Sequence, residues 1–337
     1  MQNVAEHEII APVDLTLGSG RLNKIAVGWS RHRWHNTDQI GRGLFGWGRN
    51  KRWEYWGIVT PTHLIGITAS TLDYATLAEL WVCDRATGVE IDRVVIGPLS
   101  RGVNLPGTLR AGPATVRTKD LSIDIEEVDG GTRLRATTDR ISLDVIAHRT
   151  RNREALAVVV PWSWRLFQYT VKDVALRVGG SITVDGTDYD VPLQESWAVL
   201  DHGRGRWPYS MTWNWGAGSG EIDGHVIGLQ LGGKWTDGTG STENSIVIDG
   251  ILHKISEELD WEYDQTDFMK PWRITSESVD VTFTPFYERA AETNAVIIAS
   301  KTRQCFGHYA GTVTLDDDNV VTVDGLVGWA EHVENRW

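Results

Sequence analysis

The chain has 337 residues, 41% hydrophobic and 23% charged, which is the profile of an ordinary globular protein long enough for two domains or one large all-β unit. Forty-five acids against 33 bases leave a net charge of −12, which argues against duplex nucleic acid or an anionic membrane surface as the main partner. Seventeen tryptophans are present; indole is a large apolar plate with one N–H donor, suited to a core that gives that donor a partner or to the wall of a ligand cavity.

Met1 to Pro12 carries Glu6 and Glu8 and lacks a basic flank followed by an apolar stretch, so it does not read as a secretory signal. No run approaches the ~20 apolar residues of a membrane span, so stable membrane insertion is not expected and the expected location is the cytoplasm. Short alternating or β-branched runs then follow one another: Trp53–Thr60, His63–Ser70, Ala75–Cys83, Glu90–Ile96, Leu121–Val128, Arg133–Thr138 and Ile141–Ala147. Cys83 reads as a small buried strand residue, and two cysteines, Cys83 and Cys305, are too few for a disulfide scaffold. The arginine clusters Arg31-His32-Arg33 and Arg149-Thr150-Arg151 read as solvated loops. The second half continues with Leu156–Val160, Val174–Val178, Leu193–Leu200, Met211–Trp215, His225–Leu231, Ser245–Ile248, Val279–Thr284, Ala295–Ala299, Thr312–Leu315 and Val320–Val323.

Asp-Gly steps at 129–130, 185–186, 223–224, 249–250 and 324–325 fall between these runs, where tight hairpins need positive φ. Antiparallel pairing follows. Only Tyr287–Asn294 has a helical look, and Gly216–Gly220 and Gly232–Gly240 read as mobile loops. The expected fold is all-β: two lipocalin-like antiparallel β-barrels, or strongly curved sheets packed together, divided into residues 1–155 and 156–337.

Polar and aromatic residues are densest from Glu195 to Trp215. A strand over Leu193–Asp201 places Glu195, Trp197 and Asp201 on one face. Turned into a barrel, those carboxylates are poorly solvated and suited to act as general acids; turned to solvent, they are ordinary surface groups. Asp201-His202-Gly203-Arg204-Gly205-Arg206 reads as a loop that glycines let bend, either orienting an acid, an imidazole and guanidinium groups or merely holding a turn through ion pairs. His202 offers a proton shuttle near neutral pH. Trp213 and Trp215 face one way and Asn214 the other, while Trp53 and Tyr55 oppose Glu54 and Trp56. Thr242-Glu243-Asn244 places an acid and an amide at a strand mouth. A phosphate loop, a His-Glu-x-x-His motif and paired Cys-x-x-Cys are absent from the sequence, and arginines flank His32 and His35, so no metal or cofactor is expected.

Asn50–Trp56, Leu200-Asp201-His202-Gly203-Arg204-Gly205-Arg206-Trp207-Pro208-Tyr209, Trp213–Gly216, Thr242–Asn244, Phe306–Gly311 and Gly328-Trp329-Ala330-Glu331-His332 together resemble the domain-of-unknown-function 2804 family over nearly the whole chain. That family is distantly similar to a calycin-like group of paired lipocalin-like barrels that includes carotenoid 1,2-hydratases. The resemblance implies the same double-barrel fold.

The leading expectation is a cofactor-independent hydratase, dehydratase, isomerase or cyclase acting on an apolar, alkene-containing, isoprenoid-type small molecule. Asp201 or Glu195, kept protonated, donates to the double bond. Indole and phenol faces of Trp53, Trp207, Tyr209 and Trp213 stabilise the cation at ~0.5–2 kcal/mol per contact. His202 or Asn244 positions water, and Glu54, Tyr55, Arg204, Trp215 and Glu243 complete the expected binding set. The alternatives are a non-catalytic lipid or pigment carrier and a carbohydrate-active protein.

Overall fold

The computed structural model describes residues 6–295 and 298–337; the side chains of 294–298 lie outside that description. Among the described residues there is no α-helix, only a short 3-10 turn at Lys24–Ala26, and nearly everything else regular is strand. No helix is long and apolar enough to cross a membrane. Apart from a two-residue parallel pairing of Val13–Asp14 with His35–Asn36, the named strands pair antiparallel.

The strands form two large sheets. The first runs from the edge strand Glu90–Pro98 through Ala75–Asp84, His63–Thr71, Asn50–Val59, Trp197–Arg206 and Phe167–Val184, then on through Ile141–His148 to Val103–Asn104. The second runs from Ile251–Ile255 through Asn244–Ile248, His225–Gly233, Ser210–Ile222, Leu326–Arg336, Ile298–Thr314 and Val279–Ala295 to Asp260–Glu262. Each curves into a half-barrel around its own apolar interior: Trp56, Ile58, Ile67 and Leu200 in the first, Leu229, Trp272, Phe283 and Tyr309 in the second. A third cluster, with Val158, Val199, Trp215, Phe306 and Trp329, fills the space between the sheets. There the Trp329 ring lies so close to Gly57 that a Cβ would come within 2.4 Å of it, so the glycine permits the seating of one sheet on the other.

The tight turns follow from their residues. At Asp185-Gly186, Asp223-Gly224 and Asp249-Gly250 both residues have positive φ, from 50° to 86°, as a two-residue type I′ hairpin requires.

The strands of 156–206 belong to the first sheet and the chain crosses to the second at 207–209. Three expectations are corrected. Asp201–Arg206 is not a bent loop but the second half of strand Trp197–Arg206. Its glycines make room instead: a Cβ on Gly203 would meet the Trp53 ring at 2.2 Å, and one on Gly205 would meet Gln168 Oε1 at 2.2 Å. Gly216–Gly220 lies inside strand Ser210–Ile222, two of its glycines making way for Tyr309. Tyr287–Asn294, for all its helix-forming residues, is strand, paired along its length with Ile298–Thr314 beyond a bulge at Pro285/Tyr287. The expected Ala295–Ala299 run falls partly outside the described residues.

Candidate active site

Between the sheets lies a cavity of about 580 Å³. Strand register explains its shape. On the first sheet Lys172, Asp201, Tyr55, Thr68 and Glu79 stand opposite one another in a single lateral row. At ~4.8 Å per strand that row spans about 19 Å. On the second sheet Trp215, Glu331, Gln304 and Arg289 form a matching row.

The rows touch across the interface and close the bottom of a slot. Lys172 Nζ sits 3.9 Å from the Trp215 ring centroid, Gln304 Nε2 donates to the Tyr55 hydroxyl at 3.3 Å, and Arg289 pairs with Glu79. Two residues further along the strands, on the same faces, the walls turn less polar: Trp53, Ser70, Leu77 and Ile96 on one side, Trp213, Val333, Thr302 and Ala291 on the other. The slot is therefore polar at its bottom and mainly apolar at its sides.

Trp207 is the hub of the aromatic end. It stacks on Trp235 at 5.6 Å and meets Trp53, Trp162, Trp213 and Trp337 edge-on at 4.9–5.9 Å. Of the six indoles that line the cavity, all but that of Trp337 hand their N–H to a defined acceptor. Trp207 donates to Gln168 at 2.7 Å and Trp215 to Gln230 at 2.8 Å. The other three donate to carboxylates: Trp53 to Asp201 at 3.1 Å, Trp213 to Glu331 at 3.0 Å and Trp235 to Glu243 at 2.6 Å. The tryptophans thus both shelter the cavity and hold its acids in place.

One cation serves this acid group. Lys172 Nζ lies 3.2 Å from Asp201 Oδ1 and 3.5 Å from Glu243 Oε2. Burial works against its charge, but Asp201 and Glu243 outweigh burial and its pKa ends above the ordinary lysine value. Thr170 also donates to Asp201 Oδ1, at 3.1 Å. Burial pushes Glu243 up to about 7, opposed by Lys172 and reinforced by the Asp201 charge. It pushes Glu331 up to about 7 as well, opposed by the Trp213 hydrogen bond and by Lys172. Two buried carboxyls are thereby poised near neutrality beside a permanent cation, as acid–base chemistry at neutral pH requires.

Of the residues expected from sequence, Asp201, Trp53, Tyr55, Trp207, Trp213, Trp215 and Glu243 line this slot. Glu195 does not: it sits exposed in the turn after Pro192, ahead of the strand. Glu54, His202 and Arg204 alternate onto the opposite face, inside the first half-barrel, where Glu54 Oε1 stands 3.7 Å from both His202 Nδ1 and Arg204. Burial, then Arg204, holds the His202 pKa well below its ordinary value, so the imidazole is neutral and cannot shuttle protons near pH 7. Arg204 spends its donors on the carbonyls of Trp53, Gly203 and Pro106 at 2.9–3.0 Å. Tyr209 is exposed, with Arg49 over its ring at 5.7 Å. Asn244 is a backbone clamp, accepting from Gly232 N–H at 2.6 Å and donating to the Glu257 carbonyl at 2.8 Å.

Sequence reasoning passed over Lys172, Glu331, Trp235 and Gln304. A signal existed for the first: Gln168, Thr170 and Lys172 alternate with Phe167, Tyr169 and Val171, the mark of a strand with one polar face.

No curated protein matches the chain. Among solved structures it resembles a protein of Nitrosomonas europaea described as AttH, at 16% identity and TM-score 0.52 over 88% of this chain and 94% of that one. It also resembles CghA with Sch210972, at 10% identity and TM-score 0.50 over 86% and 88%. Kievitone hydratase from Nectria haematococca follows at 13% identity and TM-score 0.48 over 88% and 92%. The likenesses to AttH and CghA are likenesses of fold alone. The family described as domain of unknown function (DUF2804) matches residues 6–337, and the chain belongs to it.

Proposed function

We propose that the slot binds an apolar, alkene-bearing small molecule of isoprenoid type and acts on it as a lyase or isomerase by proton transfer from a buried carboxylic acid. The observation that carries this reading is the pair Glu243 and Glu331, both buried and both raised to about 7 in an indole-walled cavity. Glu331 is the preferred donor because its Oε2 takes a long hydrogen bond from Gln304, at 3.3 Å, whereas Glu243 faces Lys172. Asp201 serves as partner to Lys172 and acceptor for Trp53.

In the proposed step the π pair of the alkene takes the carboxyl proton, forming one C–H bond and leaving a carbocation beside a carboxylate. Trp213 offers its ring to that cation at ~0.5–2 kcal/mol. Water then adds and returns a proton to Glu331, giving net hydration. Alternatively the carboxylate removes a neighbouring C–H proton, giving isomerisation. The fold in CghA is seen with Sch210972, an analogy that supports ligand binding rather than a particular reaction.

The test is to extract the apolar ligand that accompanies the purified protein, identify it by mass spectrometry and incubate it with fresh protein in D2O. Turnover places solvent deuterium on carbon, and Glu331→Gln abolishes the incorporation while the ligand still binds. A ligand that binds wild type and returns without label would make the protein a carrier.

A further inference from the structure

The segment leading into strand Asn50–Val59 reads Gly41-Arg42-Gly43-Leu44-Phe45-Gly46-Trp47-Gly48-Arg49, and all four glycines have φ between 68° and 84°. That backbone is strained for residues bearing a Cβ, so the glycines fix a tightly coiled loop. Its turns are closed by Trp47 N–H to the Leu44 carbonyl at 3.2 Å and Arg49 N–H to the Gly46 carbonyl at 3.0 Å, and its base is tied by Gly48 N–H to Asp73 at 2.7 Å. The loop nevertheless presents Leu44 (89% exposed), Trp47 (57%) and Phe45 (40%) at its tip. Three large apolar side chains clustered on a braced tip mark a contact surface rather than a solvated connection.

What surrounds the tip is basic. Phe45 packs on the Gly20 turn, where a Cβ would come within 2.5 Å of its ring. Arg21 follows that turn and, with Arg165, stacks on exposed Trp164, each 4.2 Å from the ring centroid. Arg42 is exposed on the loop itself. Across residues 17–21, 38–49 and 162–166 the only acid is Asp38, 3.9 Å from Arg42, although the whole chain carries −12. Tryptophan, leucine and phenylalanine ringed by arginine suit the boundary between headgroups and acyl chains of an anionic bilayer.

We propose that this loop, with the Arg21–Trp164–Arg165 stack beside it, is a peripheral docking element for an anionic lipid surface. The position also makes sense of an apolar cavity. The Arg49 carbonyl accepts the Trp207 backbone N–H at 3.0 Å, and Lys51, two residues on, lines the slot together with Trp207 and Trp337. A docked loop therefore sets the aromatic end of the slot close to the bilayer. Docking itself does not depend on the slot being catalytic.

The test is co-sedimentation of the full chain with sucrose-loaded vesicles of phosphatidylcholine alone or mixed with phosphatidylglycerol. Wild type is expected to pellet with the mixed vesicles and less with the neutral ones, and added salt should release it. The Leu44→Asp/Trp47→Asp double variant should lose at least tenfold in partitioning with an unchanged melting temperature, and Arg21→Glu/Arg165→Glu should lose binding to mixed vesicles. Wild type remaining in the supernatant, or the Leu44/Trp47 variant pelleting like wild type, would overturn the assignment. So would equal binding to both vesicles, which leaves the arginines without a role. Self-association abolished by the Leu44/Trp47 variant, without vesicle binding, would give the surface to a second copy of the chain.

Discussion

Replacing Glu331 by glutamine exposes the buried-acid chemistry without any substrate. Glutamine keeps an acceptor for the Trp213 N–H, which lies 3.0 Å from Glu331 Oε1, and needs only the Gln304 amide to turn, since that group donates to Oε2 at 3.3 Å. Burial raises the Glu331 carboxyl from an ordinary 4.5 to about 7. The folded protein therefore retains a proton that the unfolded chain has already released. The resulting stability is fully present below the unfolded pKa and is lost as pH rises through about 7. At about 1.4 kcal/mol per unit, the rise from 4.5 to about 7 corresponds to about 3 kcal/mol. Glu331→Gln has no such proton to lose, so its stability relative to wild type should climb by up to about 3 kcal/mol between pH 4.5 and pH 8. Urea unfolding followed by far-UV circular dichroism at half-unit pH steps measures the difference. Parallel curves for the two proteins would show that Glu331 titrates like a wetted carboxyl and would refute the reasoning.

Lys172→Met removes the only cation among the described residues that pairs with Asp201 and Glu243 and should destabilise by about 3–5 kcal/mol near pH 8, with a smaller loss near pH 5 where Glu243 is protonated; an equal loss at both pH values in the same unfolding series would contradict the ion-pair account. Gly203→Ala drives a methyl group into the Trp53 ring and should cost about 1–3 kcal/mol. Because Trp53 is then displaced from Asp201, near-UV circular dichroism should change too, and an unchanged unfolding midpoint would mean that the strands part more easily than the packing suggests. Gly250→Ala places a side chain at φ 86° in a type I′ turn and should lower the melting temperature, whereas an equal or higher value would show that the turn relaxes without cost.

Much of the fold was legible because its local signals agree with its tertiary pairing. The alternation of Trp53 and Tyr55 against Glu54 and Trp56 survives intact, since strand Asn50–Val59 is paired along both edges and has no freedom to slip. Asn214 likewise turns away from Trp213 and Trp215, bonding Tyr263 and the Glu331 carbonyl inside the second half-barrel. The glycines of 201–206 misled because their purpose lies on other strands, under Trp53 and Gln168, and nothing local distinguishes a glycine that bends from one that makes room. Helix-forming residues at 287–294 were overruled by pairing with the neighbouring strand. Alternation marked Lys172 as facing with Gln168 and Thr170, but its meeting with Glu331 across the slot comes only from lateral register, which unites residues distant in sequence.

Ownership of the charged group is divided: Lys172 and Asp201 ride on one half of the molecule, Glu243 and Glu331 on the other. Proton affinity in the slot consequently gauges how firmly the halves are shut. Parting them admits water and returns both glutamates toward ordinary acidity together, while an apolar guest that drives water out pulls them the other way. Guest uptake and protonation are thus reciprocally linked. A greasy occupant should be held more tightly in mildly acidic solution and let go as the medium turns alkaline.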